Sequence, residues 1–159
     1  MTVEEVYTDA FDARLVDWYE VGSSPYLHDT DADYVWTDTA LREEGDWTFP
    51  ASAGYGTINS VKLRVEASAS ASGTLRIYYW DGAVWKYIDV TVPSSVYGWY
   101  EIDVSTKINS WDKINSLKVY VQKRLLTGNM YVRRLTRKVD YTPVPVKKPI
   151  GDGLTFVLA

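Results

Sequence analysis

Short alternating runs, closely spaced turn signals and an excess of Trp and Tyr over Phe predict an all-β fold. The expected form is an antiparallel β-sandwich, jelly-roll-like, with an extended C-terminal tail. Alternation is clearest over 58–67, where Val61, Leu63, Val65 and Ala67 interleave with Lys62, Arg64 and Glu66. Apolar residues at period two mark a strand with one buried face. The rings number seven Trp and thirteen Tyr against three Phe. Trp and Tyr join apolar area to a polar handle, which suits half-buried strands and contact surfaces. With 159 residues, 46% of them hydrophobic, the chain can bury one core and is too short for two comfortable ones.

Taken in order, 15–21, 34–37 and 46–49 read as shorter strands before the long run at 58–67. The small residues of 68–73 make a loop, 74–80 is a second strand, and Asp81-Gly82 is a hairpin turn signal. The chain returns over 84–92 and stops at Pro93, and 99–104 alternates again. Ser105 can cap a helical turn that points Ile108 and Trp111 inward. Leu117, Val119 and Val121 form the next strand, opposed by Lys118, Tyr120 and Gln122. Over 130–141 the parity breaks: Met130 and Val132 share one face, whereas Leu135, Val139 and Tyr141 fall on the other. One inserted residue near Arg133-Arg134, a β-bulge, restores a single buried face. The sum is about eight to nine strands and no helix of ordinary length.

The sandwich domain is expected to span 1–142, with 143–159 as a Pro-rich linker and docking tail. Pro143, Pro145 and Pro149 favour an extended polyproline-type tether. Beyond it, Leu154, Phe156 and Leu158 alternate with Thr155 and Val157, so the tail can add to an exposed sheet edge, the expected host being a neighbouring subunit.

Several segments carry a resemblance. They are Ser24-Pro25-Tyr26-Leu27, Asp31-Ala32-Asp33-Tyr34-Val35, Gly45-Asp46-Trp47-Thr48-Phe49 and the run 58–65. Trp80-Asp81-Gly82-Ala83-Val84-Trp85, 99–105 and Val139-Asp140-Tyr141-Thr142-Pro143 continue it. Together they resemble jelly-roll-like β-sandwich domains of bacterial and archaeal virus structural proteins (tail and decoration proteins) and of prokaryotic surface proteins, similar in architecture to carbohydrate-binding modules. The resemblance runs over 16–143 and rests on turn and strand patterns, so it implies a fold and transfers no binding residue.

Composition excludes several chemistries. Without cysteine there are no disulfides, thiolate nucleophiles or zinc–thiolate sites. A net charge of −4 offers no electrostatic basis for nucleic acid, and no apolar run is long enough to predict membrane insertion. The opening Met-Thr-Val-Glu-Glu-Val-Tyr has neither the basic nor the apolar region of a secretion signal. Synthesis in the cytosol without a signal peptide, and residence in a virion or extracellular assembly, are the expectation.

His28, the single histidine, stands in an Asp-rich loop without a nucleophile elbow, so no hydrolase triad is expected. Carboxylate pairs for glycoside cleavage abound, but nothing selects one, and a non-enzymatic chain is expected. Asp29, Asp31 and Asp33 are spaced so that a curled loop could bring them onto Ca²⁺. The EF-hand pattern fails, with Tyr34 at the glycine position and Ala40 at the bidentate Glu position, and an extended strand would simply solvate the three. A structural calcium is thus the one cofactor in view. Arg133, Arg134, Arg137 and Lys138 read as a charged edge strand that discourages stray pairing.

The hairpin about Asp81-Gly82 offers the candidate surface. Any even-length turn puts Arg76, Tyr78, Trp80, Trp85, Tyr87 and Asp89 on one face. Leu75, Ile77, Tyr79, Val84, Ile88 and Val90 then share the core face. The aromatic strip can stack sugar rings, or it can support another layer or subunit. Two function classes follow. The first is a self-assembling structural subunit of a virion, tail or filament, with copies of itself and other structural subunits as partners. The second is a carbohydrate-binding or adhesion module that uses the strip for glycans.

Overall fold

The computed structural model describes residues 1–11, 18–22, 33–124 and 127–145. Among these residues eleven strands and one short helix build two antiparallel sheets packed face to face, as the alternation predicts. The first, the β11 sheet, runs β3 (Tyr19–Val21), β4 (Tyr34–Thr37), β11 (Met130–Thr142), β6 (Thr57–Ala69), β9 (Gly98–Asp103). Here β1 (Thr2–Tyr7) pairs with the later half of β11 on the edge whose earlier half holds β4. The second, the β7 sheet, runs β2 (Ala10–Phe11), β5 (Glu43–Thr48), β10 (Lys118–Lys123), β7 (Gly73–Trp80), β8 (Trp85–Val92).

The inner faces are those the period-two reading selects. Val61, Leu63 and Val65 from β6 and Val132, Leu135 and Val139 from β11 meet Trp47, Leu75, Ile77, Val119 and Val121 from the β7 sheet, all of them buried. The parity break in β11 is resolved by a register shift between Val132 and Arg134, so the expected bulge is present and Leu135 returns to the core.

Other expectations are corrected. β6 continues to Ala69, which leaves only 70–72 for the turn. The expected helical turn does form, with the Val104 carbonyl accepting the Lys107 and Ile108 N–H groups, but Ser105 does not cap it; its Oγ accepts the Val61 N–H at 2.9 Å. The helix proper is α1 (Trp111–Asn115), begun by Ser110 with extended backbone and its side chain on the Lys113 N–H. Ile108 and Ile114 are buried beneath it, and Trp111 packs edge-on to Tyr141 at 5.1 Å. Val84 belongs to the β7–β8 turn and is 48% exposed, off the core face. Asp81 Oδ1 builds that turn by accepting the N–H groups of Ala83 and Val84. Ile77 is fully buried, whereas Ile88 only packs partly against the core, because β8 is a sheet edge.

The basic cluster is not on an edge. β11 is flanked on both sides, and its charges find partners remote in sequence. Arg133 grips Glu66 at 3.1 and 2.6 Å, and Arg134 approaches the same carboxylate at 3.2 Å. Arg137 is wholly buried; it donates to Glu4 at 2.8 Å and to the carbonyls of Ile114 and Pro50 at 3.1 Å, and lies over the Phe49 ring. Desolvation lowers its proton affinity, partly offset by Glu4. This one side chain ties β11 to β1, to α1 and to the segment after β5.

Candidate functional site

Register in the β7–β8 hairpin is Arg76↔Asp89, Tyr78↔Tyr87 and Trp80↔Trp85. Side chains directly opposite in an antiparallel pair share a face, so all six candidate residues come together on the outer side of the β7 sheet. Trp80 and Trp85 meet edge to face at 5.6 Å, and Tyr78 and Tyr87 lie 5.5 Å apart. At the far end the Arg76 guanidinium binds both Asp89 oxygens, at 2.7 and 2.8 Å, and lies 3.8 Å above the Tyr87 ring. That hydrogen-bonded pairing raises the proton affinity of Arg76 and lowers that of Asp89, against a smaller desolvation effect.

Sequence reasoning missed the third strand of this surface. Tyr120 of β10 pairs with Tyr78 and stacks on it at 4.2 Å with planes 10° apart, while meeting Trp85 edge-on at 4.8 Å. Gln122 stands opposite Arg76 and donates to Glu43 Oε1 at 3.2 Å. The alternation already put Tyr120 on the polar side of its strand; the missing signal was that β10 lies beside β7. Gly45 makes room for Tyr120: its φ is +122°, and a Cβ there would sit 2.8 Å from Tyr120 Cβ. Across the strip Tyr87 is 53% exposed, the other candidate rings are half-buried, and Tyr120 is the nearly buried backing.

The outer side of the β11 sheet holds a second aromatic group that the sequence did not indicate. Tyr19, Trp36 and Tyr131 lie in one cross-strand row, with ring spacings of 4.8 and 6.3 Å. Beside Tyr131 opens a cleft of about 480 Å³ lined by Tyr34, Tyr97, Tyr131, Ser68, Ser70 and Ser95 together with Ala69. Tyr97 comes from the segment between β8 and β9 and lies under the Arg133 guanidinium at 4.2 Å. Burial pushes its hydroxyl up to about 12, against the opposing influence of Arg133.

Of the remaining candidates, Asp29, Asp31 and His28 lie outside the described residues, as do Leu154, Phe156 and Leu158 of the tail. Asp33 is 7% exposed, not on a solvated face. Its carboxylate fills the space where a Cβ on Gly22 would be, 1.8 Å from Asp33 Oδ1. Among the described residues no three His, Cys, Asp or Glu side chains are placed to hold a metal ion.

No family profile and no curated protein sequence matches the chain. Solved structures do share its fold. A mutant of CBM29-2, a family 29 carbohydrate-binding module, superposes with a TM-score of 0.50 at 12% identity, over 86% of this chain and 91% of that one. The CBM22-1–GH10 modules of the Clostridium thermocellum endo-1,4-beta-D-xylanase 10B, complexed with xylohexaose, give 0.53 at 10% identity, over 90% of this chain and 28% of that one. PfGH50B gives 0.53 at 9% identity, over 89% of this chain and 24% of that one. At such identities the likeness is one of architecture, a β-sandwich of the kind used by carbohydrate-binding modules.

Proposed function

We propose that this chain is a non-catalytic carbohydrate-binding module whose platform is the outer face of the β7 sheet. The observation that carries the reading is the co-facial strip of Trp80, Trp85, Tyr78 and Tyr87, closed at one end by the Arg76–Asp89 pair. A pyranose ring has an apolar C–H face and a rim of hydroxyls. The first stacks on exposed indole and phenol surface, and the second needs donors and acceptors beside it. The strip offers both, on strands whose register fixes the spacing, and the architecture supports the same use. The self-assembling structural subunit drew its best sequence support from the tail, and no feature of the described residues favours it over glycan binding.

Trp85→Ala and Trp80→Ala test the reading on a glycan array, with circular dichroism to verify folding. Binding lost in folded variants is the expected result. If the same changes leave glycan binding intact and instead lower oligomer stability in sedimentation, the strip is a subunit interface and the proposal fails.

A further inference from the structure

The cleft on the β11 sheet is built from segments far apart in sequence, and each wall is pinned. Ser68 and Tyr131 are direct partners in the β6–β11 ladder, and Tyr131 pairs with Trp36 on its other side. The Tyr131 hydroxyl accepts from Asn129 Nδ2 at 3.0 Å. Ser70 and Asn129 are joined twice: the Ser70 N–H donates to the Asn129 carbonyl at 3.0 Å, and Ser70 Oγ accepts the Asn129 N–H at 2.7 Å. The opposite wall is held by the Ser95 N–H, which donates to the Ala69 carbonyl at 2.7 Å, with Ser95 at a φ of +78°. Tyr97 is held from behind by Arg133, whose guanidinium is engaged by both oxygens of Glu66.

The lining is therefore preorganised and chemically narrow: three phenol rings, three serine hydroxyls and one methyl group, with no charged side chain among them. Its volume falls within the usual range for small-ligand sites. An anionic ligand would find no charged side chain in this lining, and a purely apolar one would desolvate hydroxyls that keep hydrogen-bonding capacity even where Asn129 donates to Ser70 and Tyr131. A neutral ligand with alternating apolar faces and hydroxyls satisfies both requirements. We infer that the cleft is a second saccharide site, separate from the strip, that takes a short run of neutral pyranose rings. The inference rests on the proposed function for its ligand class but not for its location.

The test is calorimetric titration of the full chain with xylohexaose, cellohexaose and mannohexaose, alongside a proline-rich peptide, the other ligand that tyrosine-lined grooves accept. The expected result is two sites per chain for one of the sugars. Tyr131→Ala and, separately, Tyr97→Ala should weaken one site by about tenfold or more while Trp85→Ala weakens the other. Tyr97 lies between strands, so its variant keeps the test valid if Tyr131→Ala unfolds. Should Trp85→Ala change nothing while both tyrosine variants lose all binding, the cleft stands and the strip proposal fails. Wild-type stoichiometry and affinity in folded Tyr131→Ala and Tyr97→Ala would overturn the cleft and leave the strip. Binding of the peptide in place of every sugar would overturn it as well.

Discussion

The two outer faces of this sandwich carry similar residues and differ in how the rings relate to one another. On the β7 sheet, Tyr78, Tyr87, Tyr120, Trp80 and Trp85 pack mutually across three neighbouring strands, and Arg76 covers a face of Tyr87. The product is a continuous ledge whose spacing is set by the strand pitch. On the β11 sheet, Tyr34 and Tyr131 meet edge-on at 6.1 Å but stand with Tyr97 around a hollow, its walls held by Asn129 on Tyr131, Ser95 on the Ala69 carbonyl and Arg133 over the Tyr97 ring. Aromatic content alone thus does not define a surface. Rings packed continuously across neighbouring strands make a ledge, and rings propped by polar links around a gap make a pocket.

The strongest way to challenge that contrast is to remove what both faces share. Arg137→Ala strips the buried clamp that joins β11 to β1, α1 and Pro50. It should cost about 3–5 kcal/mol of unfolding free energy in urea, since the carbonyls of Ile114 and Pro50 lose their buried donor and Glu4 loses its charged partner, keeping only Ser52 among the described residues. An unfolding midpoint that barely moves would mean that the two sheets support their faces independently. Next in size, Ile77→Ala empties a fully buried site beneath the ledge and should cost about 2–5 kcal/mol. Its effect on near-ultraviolet dichroism should be larger for the Trp80–Trp85 pair than for the cleft tyrosines. Equal loss at both would erase the local distinction.

Opposite ends of the pH scale separate the faces further. Tyr97 keeps its proton up to about pH 12 when folded, whereas an unfolded tyrosine releases it near about 10. In that window the unfolded chain binds fewer protons, so stability falls as pH rises, by about 1–2 kcal/mol after solvent screening. Tyr97→Phe should flatten this alkaline loss in thermal unfolding measured from pH 9 to 12. Asp89 behaves in the reverse sense. Its folded proton affinity is lowered chiefly by the Arg76 hydrogen bond, so its contribution is present above the ordinary carboxylate range and fades as pH falls through its depressed folded value. The acid effect is the smaller because the pair is solvent-screened. Asp89→Asn should make the acid limb shallower without touching the alkaline one; a change in both would couple the faces.

Much of the ledge was legible because it depends on local rules. Period-two alternation and the Asp81-Gly82 turn fix which strand residues of 74–92 share a side, failing only at Val84 in the turn itself, and the parity break at 130–141 located the bulge. Tyr120 was assigned to the correct side of its strand but not to its neighbour, since strand order is a long-range property. The cleft was illegible for the same reason, as Tyr34, Ser68, Tyr97 and Tyr131 come from four separate segments. Arg137 shows the same limit energetically. A run of basic residues reads as a charged edge strand unless its partners are known, and Glu4 and Glu66 lie far away in sequence. β1 escaped notice because Val3 is exposed and Val6 only partly buried, which blunts its pattern.

The pairing of β1 with β11 also governs how the domain meets mechanical load. Thr2 lies opposite Tyr141 and Tyr7 opposite Thr136, so the outward-leading ends of both strands emerge at the same end of their ladder. Tension applied between those ends pulls across the hydrogen bonds, not along the strands, and opens the rungs in succession from Thr2 inward. A ladder loaded in that direction behaves as a zipper and yields at low force, whereas the same bonds loaded in shear would have to break together. When the domain is stretched by its ends, β1 should therefore peel away first, taking Glu4 from Arg137 and leaving that guanidinium to the carbonyls of Ile114 and Pro50.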